Sequence, residues 1–104
     1  MLEAMQIETT RMHPEAAVQL LAVVADPVRW RLVAELARRG TLCVCDLKPV
    51  AGVAANVLSY HLKVLREAGV VTAAKRGRWV DYTIAGDAAD RLAAALPARV
   101  GQQP

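Results

Sequence analysis

The stretch 54–84 constrains this chain more than any other. Its first part reads Ala54-Ala55-Asn56-Val57-Leu58-Ser59-Tyr60-His61-Leu62-Lys63-Val64-Leu65-Arg66-Glu67-Ala68-Gly69. Leu58, His61, Leu62 and Leu65 recur at i, i+3, i+4 and i+7, the buried stripe of an amphipathic helix. Asn56, Ser59, Tyr60, Lys63 and Arg66 fall off that stripe and are expected to face outward. They are hydrogen-bonding and cationic side chains of the kind that read base edges and phosphates. Gly69 ends the helix where a left-handed residue is needed. Two β-rich runs follow, Val70-Val71-Thr72-Ala73-Ala74 and Trp79-Val80-Asp81-Tyr82-Thr83-Ile84, joined by Lys75-Arg76-Gly77-Arg78. A glycine-containing turn between two such runs predicts a hairpin.

The helix alone is equally a solvated element of an α/β core, because any surface helix has a polar face. The hairpin tip changes the balance. Three cations within four residues repel one another, and a neighbouring phosphate backbone relieves that repulsion. A helix with a polar outer face, followed by a cationic hairpin, predicts a winged helix-turn-helix with double-stranded DNA as partner. Asn56, Ser59, Tyr60 and Lys63 on the helix, and Lys75, Arg76 and Arg78 on the hairpin, are the candidate DNA contacts.

A chain of 104 residues predicts one domain with a modest core. Hydrophobic residues make up 55% of it, yet there is no Phe and only two Trp and two Tyr. Ala, Val and Leu must do the filling, which suits closely packed helices. So large an apolar share exceeds what a small monomer buries, and a homodimer is expected. The net charge of +3 agrees with a nucleic-acid partner but is weak evidence by itself. No apolar run is long enough to span a bilayer, and the N-terminus lacks a signal-peptide pattern. No membrane partner is expected, and a cytoplasmic location follows by default, with both cysteines as reduced thiols rather than a structural disulfide.

Taken in order, residues 1–12 show no period and are expected to be a flexible arm. Residues 13–100 form the domain and 101–104 a tail. The pattern predicts about five helices and a two-stranded wing. Pro14 and Glu15 open the first helix, with Ala17, Leu20, Leu21 and Val24 as its stripe. Val18, Ala22 and Ala25 widen the apolar surface, so this helix is expected to be covered on two sides. Asp26-Pro27 is an N-cap followed by a first-position proline, and the second helix runs to Arg39 before Gly40. Its Arg29, Arg31, Arg38 and Arg39 read as a solvated face. After an extended link at Thr41-Leu42, Cys43-Val44-Cys45-Asp46-Leu47 begins a helix of about two turns, shortened by Pro49. The last helix is expected from 85 to about 100, with Ala89, Leu92, Ala93 and Leu96 at helical spacing and Pro97 kinking or ending it.

Four segments together resemble the ArsR/SmtB family of metal-sensing repressors. They are Ala25-Asp26-Pro27-Val28-Arg29, Leu42-Cys43-Val44-Cys45-Asp46-Leu47, the run from Leu58 to Val71, and Arg76-Gly77-Arg78-Trp79-Val80-Asp81-Tyr82. The resemblance covers residues 16–96 in unbroken order. It implies a winged helix dimerised through its first and last helices. It also implies a repressor, not an enzyme, that holds a palindromic operator without any cofactor and releases it when an inducing metal binds. The chain departs from the family at Ala54-Ala55, where Ser-Gln is common; alanine neither caps a helix well nor reads a base. His61 has the spacing of the family's buried histidine, and its place on the stripe predicts a structural role.

The Cys43-Val44-Cys45 pair is the candidate metal site. Two thiolates suit soft ions: As(III) and Sb(III) first, then Cd(II), Pb(II) and Zn(II). A helix start lowers thiol pKa and favours thiolates. In a regular helix, residues two apart point about 200° from each other, so both sulfurs meet one ion only if the helix start is irregular. The bland reading is two small core residues. Arsenic sensors of the family often carry a third cysteine a few residues on, but Lys48 and Pro49 stand there. His13 is the one further ligand candidate, from either chain of a dimer. The family's other zinc site, on the last helix, finds no histidine here. Two other functions compete: a thiol-redox-responsive regulator of the same fold, weakened because a disulfide between residues two apart is strained, and a thiol enzyme. The second lacks a Cys-x-x-Cys motif, a nucleotide loop and a Cys/His/Asp arrangement.

Overall fold

Pro14 starts helix α1 (Pro14–Ala25) because its missing N–H is not needed at a first position. His13 caps that helix, its Nδ1 accepting the Glu15 N–H at 3.3 Å. The computed structural model describes residues 12–97. The expected arm, apart from Met12, lies outside the described residues, as do positions 98–100 and the tail 101–104.

Helix α2 (Pro27–Arg39) is capped by Asp26, whose Oδ1 accepts the Val28 and Arg29 N–H groups at 2.8 and 3.0 Å. Those bonds, Arg29 N–H first, hold the Asp26 carboxyl below the ordinary aspartate range. Strand β1 (Leu42–Cys43) and helix α3 (Val44–Ala51) follow, then α4 (Ala55–Glu67). Pro49 sits inside α3 and the helix stops at eight residues, as its position predicts. Helix α4 buries Leu58, His61, Leu62 and Leu65, the stripe read from the sequence. Its start has no side-chain cap at Ala54. Its end is a full Schellman closure: Gly69 takes φ 75°, Gly69 N–H donates to Arg66 and Val70 N–H to Leu65.

The wing is β2 (Val71–Arg76) and β3 (Trp79–Ile84), an antiparallel pair. Its turn is shorter than expected. Lys75 and Arg76 belong to β2, leaving only Gly77 and Arg78 at the tip, with Gly77 at φ 63°. The sheet also has a third strand. The segment taken for an extended link pairs Leu42 with Tyr82 and Cys43 with Asp81, giving the order β1-β3-β2. Two residues carry no readable alternation, so only the pairing with β3 reveals a strand.

The last helix, α5 (Ala88–Ala95), starts later than expected and ends, as Pro97 predicts, with Leu96 as its C-cap. The residues at helical spacing are mostly not the ones a single chain buries. Ala88 and Ala95 are buried and Leu92 partly so, while Ala89, Ala93 and Leu96 stay exposed. The core gathers Leu32, Leu36, Leu47, Leu58, Leu62 and Leu65 with Val70 and Val71, joining the helix-turn-helix to the root of the wing. Along α1, Ala17, Leu20 and Val24 are buried, but Val18 is 65% exposed and Ala22 and Ala25 are open. Among the described residues the second apolar side of α1 therefore has no cover. No helix among the described residues is long and apolar enough to cross a membrane.

Candidate metal centre and nucleic-acid interface

Cys43 is not part of the helix that follows it. Its backbone is extended (φ −80°, ψ 169°), and it is both the last residue of β1 and the N-cap of α3. From there its Sγ turns back over the first turn of α3 and accepts the Asp46 N–H at 3.3 Å. Asp46 returns the contact, its Oδ2 accepting the Cys43 N–H at 3.3 Å. This is a capping box with sulfur where Ser or Thr usually stands. The irregular start removes the geometric obstacle. Cys43 and Cys45 lie on one side of the helix end with their Cα atoms 5.3 Å apart, and the two sulfurs form a disulfide.

The disulfide corrects the expectation of two reduced thiols. The physical reason is the extended N-cap, which abolishes the ~200° divergence that a continuous helix imposes. One tetrahedral ion with thiolate bonds of about 2.3 Å needs two sulfurs about 3.8 Å apart, so the ligands must come from neighbouring side chains such as these. Cys43 is buried and Cys45 exposed, so the pair is reachable from solvent. His13 is not part of this cluster within the chain; among the described residues the gathered ligand groups are Cys43, Cys45 and Asp46. Sequence reasoning missed Asp46, although Cys-x-x-Asp at a helix start has the spacing of a capping box.

The site touches two elements that would meet DNA. Through α3 it supports α4, and through the Cys43–Asp81 pairing it touches β3 of the wing. Asp81 is itself gripped by Arg76, with Nε and Nη2 at 2.8 and 3.1 Å from its carboxylate oxygens. That grip lowers the Asp81 pKa and raises that of Arg76. Arg76 is thus partly neutralised on the wing, whereas Lys75 and Arg78 are exposed among cations. Asn56, Ser59, Tyr60 and Lys63 are all exposed on the outer face of α4. Lys63 reaches Glu67 at 4.0 Å, a solvent-exposed pair of little energetic weight.

Two arginines of the expected solvated face also hold backbone, Arg29 half-buried and Arg31 still exposed. Arg31 donates to the Ala51 carbonyl at the end of α3, 3.2 Å away. Arg29 donates through Nε to the Val23 carbonyl and through Nη1 to His61 Nδ1, the latter at 3.0 Å. A guanidinium only donates, so Nδ1 of His61 accepts and the ring hydrogen sits on Nε2. His61 is therefore a satisfied buried histidine, and Arg29 ties the recognition helix α4 to the α1–α2 corner. Arg38 and Arg39 do lie on the surface, both on Glu35 Oε2 at 2.7 and 3.1 Å. From α5, Arg91 donates to the Ala68 and Gly69 carbonyls, each at 2.8 Å, closing the far end of α4.

Arg29→Ala should cost about 1–3 kcal/mol in urea unfolding, because it leaves a buried imidazole nitrogen and a carbonyl without a donor. The Asp26 cap adds an acid dependence. Its folded pKa is depressed, so its contribution is complete above the ordinary aspartate range of about 3.9 and lost as pH falls through the folded value. Asp26→Ala should lower stability at pH 7 by about 0.5–2 kcal/mol and flatten the acid limb of the stability curve.

Residues 26–73 match the model of the bacterial regulatory protein arsR family. An uncharacterized HTH-type transcriptional regulator of Methanocaldococcus jannaschii is 34% identical over 73 residues, covering 70% of this chain and 82% of that relative. This chain belongs to the ArsR family. The arsenical resistance operon repressor of Bacillus subtilis is 39% identical over 66 residues, covering 64% of this chain. The chain spans 63% of the length of that ArsR-family repressor. A solved structure described as a possible transcriptional regulator for arsenical resistance superposes with a TM-score of 0.68 at 37% identity, covering 73% of this chain and 78% of that one. The ArsR-family match takes in α2, the cysteine pair, all of α4 and the first residues of the wing. Membership places the chain among DNA-binding regulators, not enzymes.

Proposed function

We propose that this ArsR-family chain is a homodimeric, cytoplasmic repressor that holds double-stranded operator DNA and releases it when a soft metal or metalloid binds Cys43 and Cys45. Arsenite and antimonite head the inducers, with Cd(II), Pb(II) and Zn(II) next. One observation carries the reading: the two sulfurs meet at the N-cap of the helix that supports α4. An ion drawing on both thiolates displaces Cys43 from its capping role and disturbs the start of α3. That changes the angle between α3 and α4, and so between the two α4 helices of a dimer. Half-sites one DNA turn apart tolerate little such change. The test is fluorescence anisotropy of the reduced protein on DNA from upstream of its own coding frame. Arsenite, antimonite or cadmium should lower the affinity, and unchanged affinity with all of them would count against the proposal.

The DNA face gives its own expectation. Among the described residues Arg78 has no ion-pair partner at the tip while Arg76 carries Asp81, so the two arginines are unequal. Arg78→Ala should reduce the slope of log affinity against log salt by about 0.9 for each phosphate it no longer neutralises, on specific and random DNA alike. Arg76→Ala should change it less, because it also exposes the Asp81 carboxylate. Tyr60→Ala should instead alter sequence preference with little change of slope. Equal slopes for the parent and Arg78→Ala would remove the wing from the interface.

A second reading has an observation behind it. Cys43 and Cys45 pair as a disulfide in the structure, which favours a thiol-redox-responsive regulator of the same fold. The two readings part cleanly: peroxide releases the operator in the redox case, and arsenite or cadmium added to reduced protein does so in the metal case.

A further inference from the structure

The register of the wing builds an ion pair. Asp81 lies on β3, the middle strand of the sheet, opposite Cys43 on one side and Ala74 on the other. Arg76 stands two residues beyond Ala74, so it is the diagonal neighbour of Asp81 on the same face. The two-residue turn at Gly77 and Arg78 pins that register. The partners differ in freedom. The Asp81 side chain is 18% exposed between two strands, and the Arg76 side chain is 65% exposed at the end of one. The carboxylate is the fixed point, and the arginine comes to it.

The bonds decide what remains of Arg76. Its Nε and Nη2 donate to the two carboxylate oxygens at 2.8 and 3.1 Å, which occupies one edge of the guanidinium. A second edge, one N–H from each Nη, is left over and matches two phosphate oxygens. The pair as a whole carries no net charge, so by itself it displaces no counterions from DNA. Among the described residues Lys75 and Arg78 have no carboxylate partner and keep their charge. An exposed ion pair adds little to stability, so the fold gives no strong reason for a carboxylate under a wing cation. We propose that Asp81 is a specificity-determining residue of the DNA-binding wing, which cancels the charge of Arg76 and fixes its remaining edge in one position for a backbone phosphate. This rests on the reading of the wing as a DNA contact.

The two effects act on different complexes. A free cation follows any phosphate, whatever the sequence, and raises affinity for all DNA alike. A neutralised guanidinium held in one place adds little to that. It meets a phosphate well only where the recognition helices are already seated in the major groove. Asp81 therefore lowers random binding more than operator binding.

The experiment is a set of anisotropy titrations of the reduced full chain, on DNA from upstream of its coding frame and on random duplex of equal length, each across a salt series. Asp81→Asn keeps the shape of the side chain and removes its charge. It should raise affinity for random duplex about five- to tenfold for each wing at about 0.1 M salt, and steepen the salt slope by about 0.9 for each Arg76 set free. Affinity for the upstream DNA should rise less, so the ratio of the two should fall. Asp81→Glu keeps the charge and should keep the parent's slope. Adding Arg76→Ala to Asp81→Asn removes both charges and should return the slope to that of the parent. A slope still steep in that double variant overturns the proposal, because the gain did not come from Arg76. Asp81→Asn with the parent's slope and random-duplex affinity overturns it too, as does an equal rise on both DNAs. A pair that only braced the hairpin would shift unfolding and leave the slope alone. Arg78→Ala separates this proposal from the reading beneath it. A slope lowered by Arg78→Ala but unmoved by Asp81→Asn overturns the role of Asp81 alone, and a slope unmoved by either removes the wing from the interface. Should Asp81→Asn not fold, Asp81→Thr, uncharged and at home in a strand, takes its place.

Discussion

The Cys43→Ser, Cys45→Ser protein should bind its operator as the parent does and stay bound when arsenite or cadmium is added. Serine is among the best N-cap residues, so a serine at position 43 keeps an acceptor for the Asp46 N–H and α3 keeps its start. Position 45 is exposed, and a smaller oxygen there disturbs no packing. The fold and the DNA face are thus left alone while both soft donors are removed. A coupling of about 1–3 kcal/mol between inducer and operator corresponds to about a five- to 150-fold change in affinity, all of which should vanish in the double variant. Anisotropy titrations of both proteins on the same operator, with and without each ion, provide the measurement. Release of the double variant by every soft ion would mean that the cysteines are not the sensor.

Val18→Glu combined with Leu96→Glu should convert a dimer into a monomer at micromolar concentration. Val18 is 65% and Leu96 56% exposed within one chain, on helices that pack against each other. Met12, Leu21 and Pro97 line the same apolar groove between α1 and the end of α5. We propose this face as the dimer contact, since a stable interface needs a continuous apolar centre and these two helices provide one. Two carboxylates at that centre, doubled by two-fold symmetry, would be desolvated against apolar partners. The core of each chain is not touched, so helix content and the unfolding transition should change little. Sedimentation should report the mass of one chain, and operator affinity should fall by about 10²–10⁴ as the second half-site is lost. A dimer that survives the pair of substitutions would place the interface elsewhere.

The substitution Val18→Glu bears on a pattern that the residues alone display. Val18, Ala22 and Ala25 extend the apolar surface of α1 past one stripe, and they stay uncovered within the described residues. On α5 the spacing alone did not say which face a single chain buries. Alanine-rich helices have so little contrast between faces that Ala88 and Ala95 could not be told from Ala89 and Ala93 before packing chose between them.

The features legible in the residues are local in their physics. Period and caps suffice for α4, from the 58–61–62–65 stripe to the Gly69 closure, and for the Asp26-Pro27 start of α2. The hairpin and its basic tip were legible for the same reason, since each depends on residues a few positions apart. What distant residues do to one another emerges only once the chain has packed. Leu42 and Cys43 are a strand only because β3 lies beside them. Arg29 looks like a surface cation until His61, thirty-two residues away, supplies its acceptor. Arg76 looks like a free phosphate ligand until the hairpin register folds Asp81 back onto it. The cysteine pair shows the division most clearly. Its spacing suggested a proposed soft-ion site but, under helical geometry, set the sulfurs on opposite sides. The extended backbone at Cys43, imposed by its place in the sheet, brings them together, with Asp46 beside them.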